Sequence, residues 1–238
     1  MSVDRATPTT SAAEPREPLE IEVKLGVSRP LRIARLVRRF ELHGLAGFEP
    51  RDAPRVATMT DRYLDTAAGQ GRLQAEGIRA RLRTEGGTVV LAVKRGGVVR
   101  DGVTVRVELQ AQATSSLDPR HWPSSDASAA VAEAAGGERL IEIAVLHQRR
   151  LVRRIGKGAT TVDLSLDRVD AREGGRVLAR RHELEAELVE GDESALAALA
   201  DALRRVDGIS APPGSKLAFG LAARRAARPR AEPLTVDC

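Results

Sequence analysis

The chain has 238 residues, 42% of them apolar, enough for a sizeable core in one large domain or two small ones. Its charge is mixed, with 38 basic and 33 acidic residues for a formal +5, and aromatics are only 2%. Interleaved signs and few stacking aromatics argue against a nucleic-acid partner.

The core is therefore expected to rest on Val, Leu, Ile and Ala. The single cysteine, Cys238, excludes an internal disulfide and a cysteine-based zinc site. That agrees with a reducing, cytoplasmic compartment. The N-terminal stretch has no apolar core of a signal peptide, and no run of the chain approaches a membrane span.

Residues 1–18 read as a disordered leader rich in Pro, Thr and Ser. A strand follows at 19–25, with Glu20, Glu22 and Lys24 on one face and Leu19, Ile21, Val23 and Leu25 on the other. A helix is expected from Ser28 as N-cap and Pro30 in the first turn, ending at Gly44. A strand at 55–64 runs into Tyr63-Leu64-Asp65-Thr66. Strands at 78–84 and 89–94 flank the hairpin signal Gly86-Gly87, and another alternates from Val103 to Gln110.

A polar loop at 113–125 carries the only Trp, and a short Ala-rich helix at 126–135 stops at Gly136-Gly137. Strands are expected at 140–155, 159–169 and 177–189. Asp192 then caps a helix with Leu196, Leu199, Leu203 and Val206 on one face. From 222 onward the chain reads as a flexible basic tail.

The succession of hairpins argues for an antiparallel sheet. Any one strand with alternating charge is most simply a half-buried strand with a wet face. The joint pattern says more. Acids cluster on some strands, as in Glu183, Glu185 and Glu187, while Arg79, Arg81, Arg83 and Lys94 dominate others. A closed antiparallel barrel would gather these faces inside. Carboxylates there suit Mg²⁺ or Mn²⁺, and the cations suit phosphate oxygens.

The ordered motifs resemble the CYTH proteins, the triphosphate tunnel metalloenzymes. That family includes inorganic triphosphatases, thiamine triphosphatase and class IV adenylate cyclases. Glu20-Ile21-Glu22-Val23-Lys24 matches the ExExK signature, and Tyr63-Leu64-Asp65-Thr66 resembles Y-x-D-T. Gly77 to Arg83 resembles G-x-x-L-R-x-R, with Ala80 in place of Leu. Lys94, Arg106-Val107-Glu108, Asp167, the Glu183–Glu187 strand and Ser215-Lys216 follow in family order. Gln110 departs from the pattern, standing where many members carry an acid.

The resemblance implies an α+β fold, a closed eight-stranded antiparallel barrel over 19–221 with helices outside. It implies metal-dependent hydrolysis of a linear triphosphate. Lys24, Arg81, Arg83, Lys94, Arg106, Arg150 and Lys216 would bind phosphate; Arg150 is chosen over Arg149, Arg153 and Arg154. Glu20, Glu22, Glu108, Asp167, Glu185 and Glu187 would hold Mg²⁺ or Mn²⁺, with Glu22, Lys24 and Arg81 central to catalysis. The expected partner is a triphosphate-containing small molecule, with no nucleic acid and no membrane; many members pair as homodimers, and the oligomeric state of this chain stays open. Two other readings stay open: cyclisation of ATP, and a module that binds polyphosphate or triphosphate without turnover.

Overall fold

The computed structural model describes residues 18–40, 45–67, 71–100 and 102–228. The leader through residue 17, the expected helix end at Gly44, His43 and the last ten residues lie outside the described residues.

Eight long strands carry the fold. They are β1 (Leu19–Val27), β3 (Arg55–Thr66), β4 (Arg79–Glu85), β5 (Thr88–Arg100), β6 (Val103–Gln112), β7 (Leu140–Lys157), β8 (Thr160–Glu173) and β9 (Arg176–Glu190). Two-residue pieces, β2 (Glu49–Pro50) and β10 (Ile209–Ser210), extend the sheet locally. Every pairing is antiparallel, in the order β1-β6-β5-β4-β3-β7-β8-β9. β1 closes the ring by splitting its length. Leu19–Val23 pairs with β6 and Glu22–Gly26 with β9. The expected eight-stranded barrel is what the chain forms.

Turn chemistry sets the hairpins. Gly86 and Gly87 both have positive φ, 55° and 86°, which a two-residue turn of this hand requires. The strands outrun their expected ends, most of all β5, where a register shift between Arg95 and Val98 passes through Gly96-Gly97.

Helices seal the outside. α1 (Pro30–Arg39) and α4 (Glu193–Arg204) pack Ile33, Val37, Leu196 and Leu199 against outward residues of β7, β8 and β9 such as Ile155, Leu164 and Leu184. α2 (Arg72–Ala75) and α3 (Asp126–Ala135) cover β4 and β5 through Leu73, Val131, Leu82 and Leu91. The only Trp, Trp122, is buried in that second cluster. Asp192 caps α4 as expected, accepting from Ser194 N.

Two expectations need correction. The N-cap of α1 is Arg29, not Ser28, whose hydroxyl instead donates to the Gly208 carbonyl at 3.2 Å. The chain does not become a tail at 222, because α5 (Lys216–Ala227) continues through it. Its Ala-rich second half keeps helical propensity without an apolar stripe.

The position of α5 matters most for the site. On the inner face of β7, apolar Ala144 and Leu146 give way to polar Gln148 and Arg150. Val169 and Ala171 sit beside them on β8, Tyr63 on β3. Leu217 and Ala223 of α5 pack on this apolar end, so α5 closes one end of the barrel.

Candidate functional site

Alternation puts the even residues of β1 and β6 and the odd residues of β4, β8 and β9 inside the barrel. The tunnel they line has a volume of about 700 Å³, counting its open mouth. Lys24, Arg79, Arg81, Arg83, Lys94, Arg106, Arg150 and Lys216 line it, together with Glu20, Glu22, Glu108, Glu185 and Glu187. Gln110 lines it too, and Tyr63 is the sole aromatic among the lining residues. Asp61, Asp167 and Glu183, buried just behind this lining, stand against the same cations, so eight cations meet eight carboxylates.

Strand register brings opposite charges together. Glu20 faces Arg106, Lys24 faces Glu185, Lys94 faces Glu108 and Arg150 faces Asp167. On one side of the tunnel, Glu20 accepts from Lys94 Nζ at 2.6 Å and Arg106 Nε at 2.6 Å. Arg106 also donates to Glu22. Burial alone would raise the Glu20 pKa, but Lys94 and Arg106 outweigh it and hold Glu20 down to about 2. Burial also pulls Lys94 down, and nearby Arg81 adds to the effect.

The other side is built around Lys216. Its Nζ lies 2.6 Å from Asp167, 2.9 Å from Glu183 and 3.1 Å from Glu185. Ser215 caps α5 by accepting from Ala218 N at 3.1 Å, so the Ser-Lys pair starts the helix and aims the ammonium inward. Arg150 donates to Asp167 at 2.8 and 2.6 Å and to Glu185 at 2.6 Å. Lys24 reaches Glu185 at 2.7 Å. Burial opposes charge at Glu185, yet Lys216, Lys24 and Arg150 hold its pKa well below the usual range.

Oxygens of Asp167, Glu183 and Glu185 fall within 4.8 Å of one another, a donor set that suits a hard divalent ion. The Lys216 ammonium donates to Asp167 and Glu185 and lies close to Glu183. Glu183 was expected on this face but not among the metal ligands. Arg181 Nη2 lies 2.6 Å from it, although neither this contact nor that with Lys216 has hydrogen-bond geometry. Burial pushes the Glu183 pKa up. Glu187 has no ion pair with another described residue. Burial, then the charges of Glu20 and Glu185, push it up to about 7.

All expected phosphate-binding residues face the tunnel, and so do all six expected metal-ligand carboxylates. Of the four arginines on β7, Arg150 is the one that lines it. Arg154 pairs with Asp163 at 2.8 Å, and Arg153 donates to the Asp52 and Arg38 carbonyls.

Asp61 is the residue that sequence reasoning missed. It is fully buried and accepts from Arg81 at 3.0 Å, Arg83 at 2.7 Å and Gln148 at 2.6 Å. Burial works against its charge, but the two guanidiniums hold its pKa far down. Its signal was parity, since Asp61 lies two residues before Tyr63 on the inward face of β3. Asp65 has a structural role, accepting from Thr66 N, Leu73 N and Gln74 N and fixing the start of α2.

A closed antiparallel barrel with a lining of paired cations and carboxylates defines a class of polyanion-handling tunnel proteins. The family model described as the CYTH domain matches residues 18–218, and the chain belongs to that family. Among solved structures it resembles HpAC1 from Hippeastrum, named as an adenylyl cyclase and reported with a dominant triphosphatase activity. The TM-score is 0.64 at 19% identity, over 85% of this chain and 95% of that one. It also resembles a Bacillus halodurans protein named as an adenylate cyclase, with a TM-score of 0.53 at 15% identity, over 84% and 97% of the two chains. At these identities the likeness bears on the fold. No curated protein matches the chain. No helix among the described residues is long and apolar enough to cross a membrane.

Proposed function

We propose that this chain hydrolyses a linear triphosphate, with inorganic triphosphate as the preferred substrate, in a reaction that needs a divalent metal. The observation that carries this reading is the lining itself. Eight cations converge on one tunnel, interleaved with carboxylates that would pass to a metal ion. A chain of phosphates is the small ligand whose charge is dense enough to use so many.

The cations would exchange partners on binding. Lys24, Lys94, Arg106, Arg150 and Lys216 would turn from carboxylate to phosphate oxygens. Arg81 and Arg83 would remain anchored by Asp61 while presenting their other N–H groups. The carboxylates so released, with Glu187, form an all-oxygen donor set that fits Mg²⁺ or Mn²⁺. Glu20, Glu22, Glu108, Asp167, Glu185 and Glu187 would hold it. A bound ion of this kind neutralises phosphate charge and lowers the pKa of water. A second ion, or one of these carboxylates, would orient the attacking water. Water adds at the terminal phosphorus, the bridging P–O bond breaks, and phosphate and pyrophosphate leave.

HpAC1 is reported with a dominant triphosphatase activity, which supports hydrolysis over cyclisation. So does the lining, where Tyr63 is the sole aromatic to meet a base. Product analysis tests the assignment. The purified chain with Mg²⁺ or Mn²⁺ is expected to release phosphate from inorganic triphosphate, and ADP with phosphate from any ATP it accepts. Cyclic AMP with pyrophosphate from ATP would instead make it a cyclase. Tight triphosphate binding with no metal-dependent release would make it a binding module.

A further inference from the structure

The outer wall of the barrel over β7, β8 and β9 carries a second charged surface, on the opposite side of these strands from the tunnel. Arg149, Arg168 and His182 stand directly opposite one another across the three strands. Arg149 and Arg168 bring like charges directly opposite, which destabilises a sheet. The fold does little to offset them. The nearest acid, Asp170, is buried and bound by Arg180 at 2.6 Å, and it lies 3.7 Å from Arg168. Arg149 makes no ion pair with another described residue, and the buried Nε of Arg168 has no hydrogen-bond partner. Burial, with Arg168 and Arg180 close by, also holds the His182 pKa below its ordinary value.

A groove of about 260 Å³ runs beside this row, between α1 and the sheet. Arg149, Arg168 and Arg38 line it together with Leu31, Ala34 and Val56. Leu31 is 87% exposed and Val56 49% exposed. A basic row alone would suit any polyanion. A basic row continuous with exposed aliphatic side chains suits a ligand that carries both carboxylates and apolar groups. Among the described residues, no Phe, Tyr or Trp lines the groove for a base to stack on.

We propose that this face docks an acidic segment of a partner protein. Its carboxylates pair with Arg149 and Arg168, and an apolar side chain seats against Leu31 and Val56.

The test uses the full chain and fluorescence anisotropy. The probe is a labelled peptide of about 15 residues composed of Glu and Leu, long enough to cross a site of interface scale. EDTA and excess inorganic triphosphate keep the tunnel cations engaged. Wild type is expected to bind this peptide more tightly than an all-Glu peptide of equal length or a single-stranded DNA. Arg149→Glu with Arg168→Glu, and separately Leu31→Asp, are each expected to weaken binding by about tenfold or more. Phosphate release from triphosphate should stay at the wild-type level in both. Leu31→Asp changes an exposed side chain, so the test survives if the double variant fails to fold. No binding by wild type, unchanged binding in Leu31→Asp, equal binding of the all-Glu peptide, or tighter binding of the DNA would each overturn the proposal.

Discussion

Asp61 is the anchor on which two tunnel arginines depend. Its carboxylate is fully buried and holds Arg81, Arg83 and Gln148 together. Asp61→Ala leaves two guanidiniums without their main partner in a low-dielectric setting. The expected loss is about 3–5 kcal/mol of stability, read from urea unfolding. Glu187 makes the opposite case. Its pKa rises from 4.5 to about 7 because burial and the neighbouring acids disfavour its charge. The folded chain therefore holds a proton that the unfolded chain has lost between these values. Stability is greatest below the lower value and falls as pH rises through the upper one. In EDTA, Glu187→Gln is expected to raise stability by about 1–3 kcal/mol at pH 8 and by much less near pH 5. Equal urea midpoints for wild type and variant at both pH values would contradict this. At this scale, sequence legibility followed repetition. Arg81 with Arg83, and Glu185 with Glu187, declare a face because like charges recur at period two. Asp61 stood alone among Met59 and Tyr63, so nothing local marked it as the partner of residues twenty positions away.

The elements differ in how clearly they announce themselves. The strands alternate cleanly, so their existence was legible, while their lengths depended on pairings that sequence does not display. β1 shows this best, since its two halves serve different neighbours and close the ring. The helix α5 was not legible as a helix. Ser215-Lys216 stood out as a motif but not as a helix start, and the run to Ala227 rests on packing that Ala and Arg do not reveal. That packing sets the site, because α5 delivers Lys216 to three carboxylates. Gly220 lets the helix approach the inner wall, for a Cβ there would lie 2.9 Å from Ala144 Cβ. Gly220→Val should push α5 away at a cost of about 1–3 kcal/mol. We expect kcat/KM for triphosphate to fall in parallel, as Lys216 loses its place. Unchanged thermal unfolding together with unchanged kcat/KM would show that α5 does not need this close approach.

At the scale of the whole molecule, closure of the barrel turns ordinary amphipathic strands into a site. Each charged face would be a solvated surface on an open sheet. Closed on itself, the sheet forces carboxylates and cations against one another, and in the proposed function a phosphate chain with its metal replaces those pairs. The central claim is therefore that the tunnel charges perform metal-dependent triphosphate hydrolysis. The most direct measurement is phosphate release from inorganic triphosphate with Mg²⁺, with Mn²⁺ and with EDTA, by wild type and by Glu22→Gln. The account predicts release with metal, none in EDTA, and a loss of about 100-fold or more in a folded Glu22→Gln. Release that persists in EDTA, or a Glu22→Gln variant as active as wild type, would contradict it.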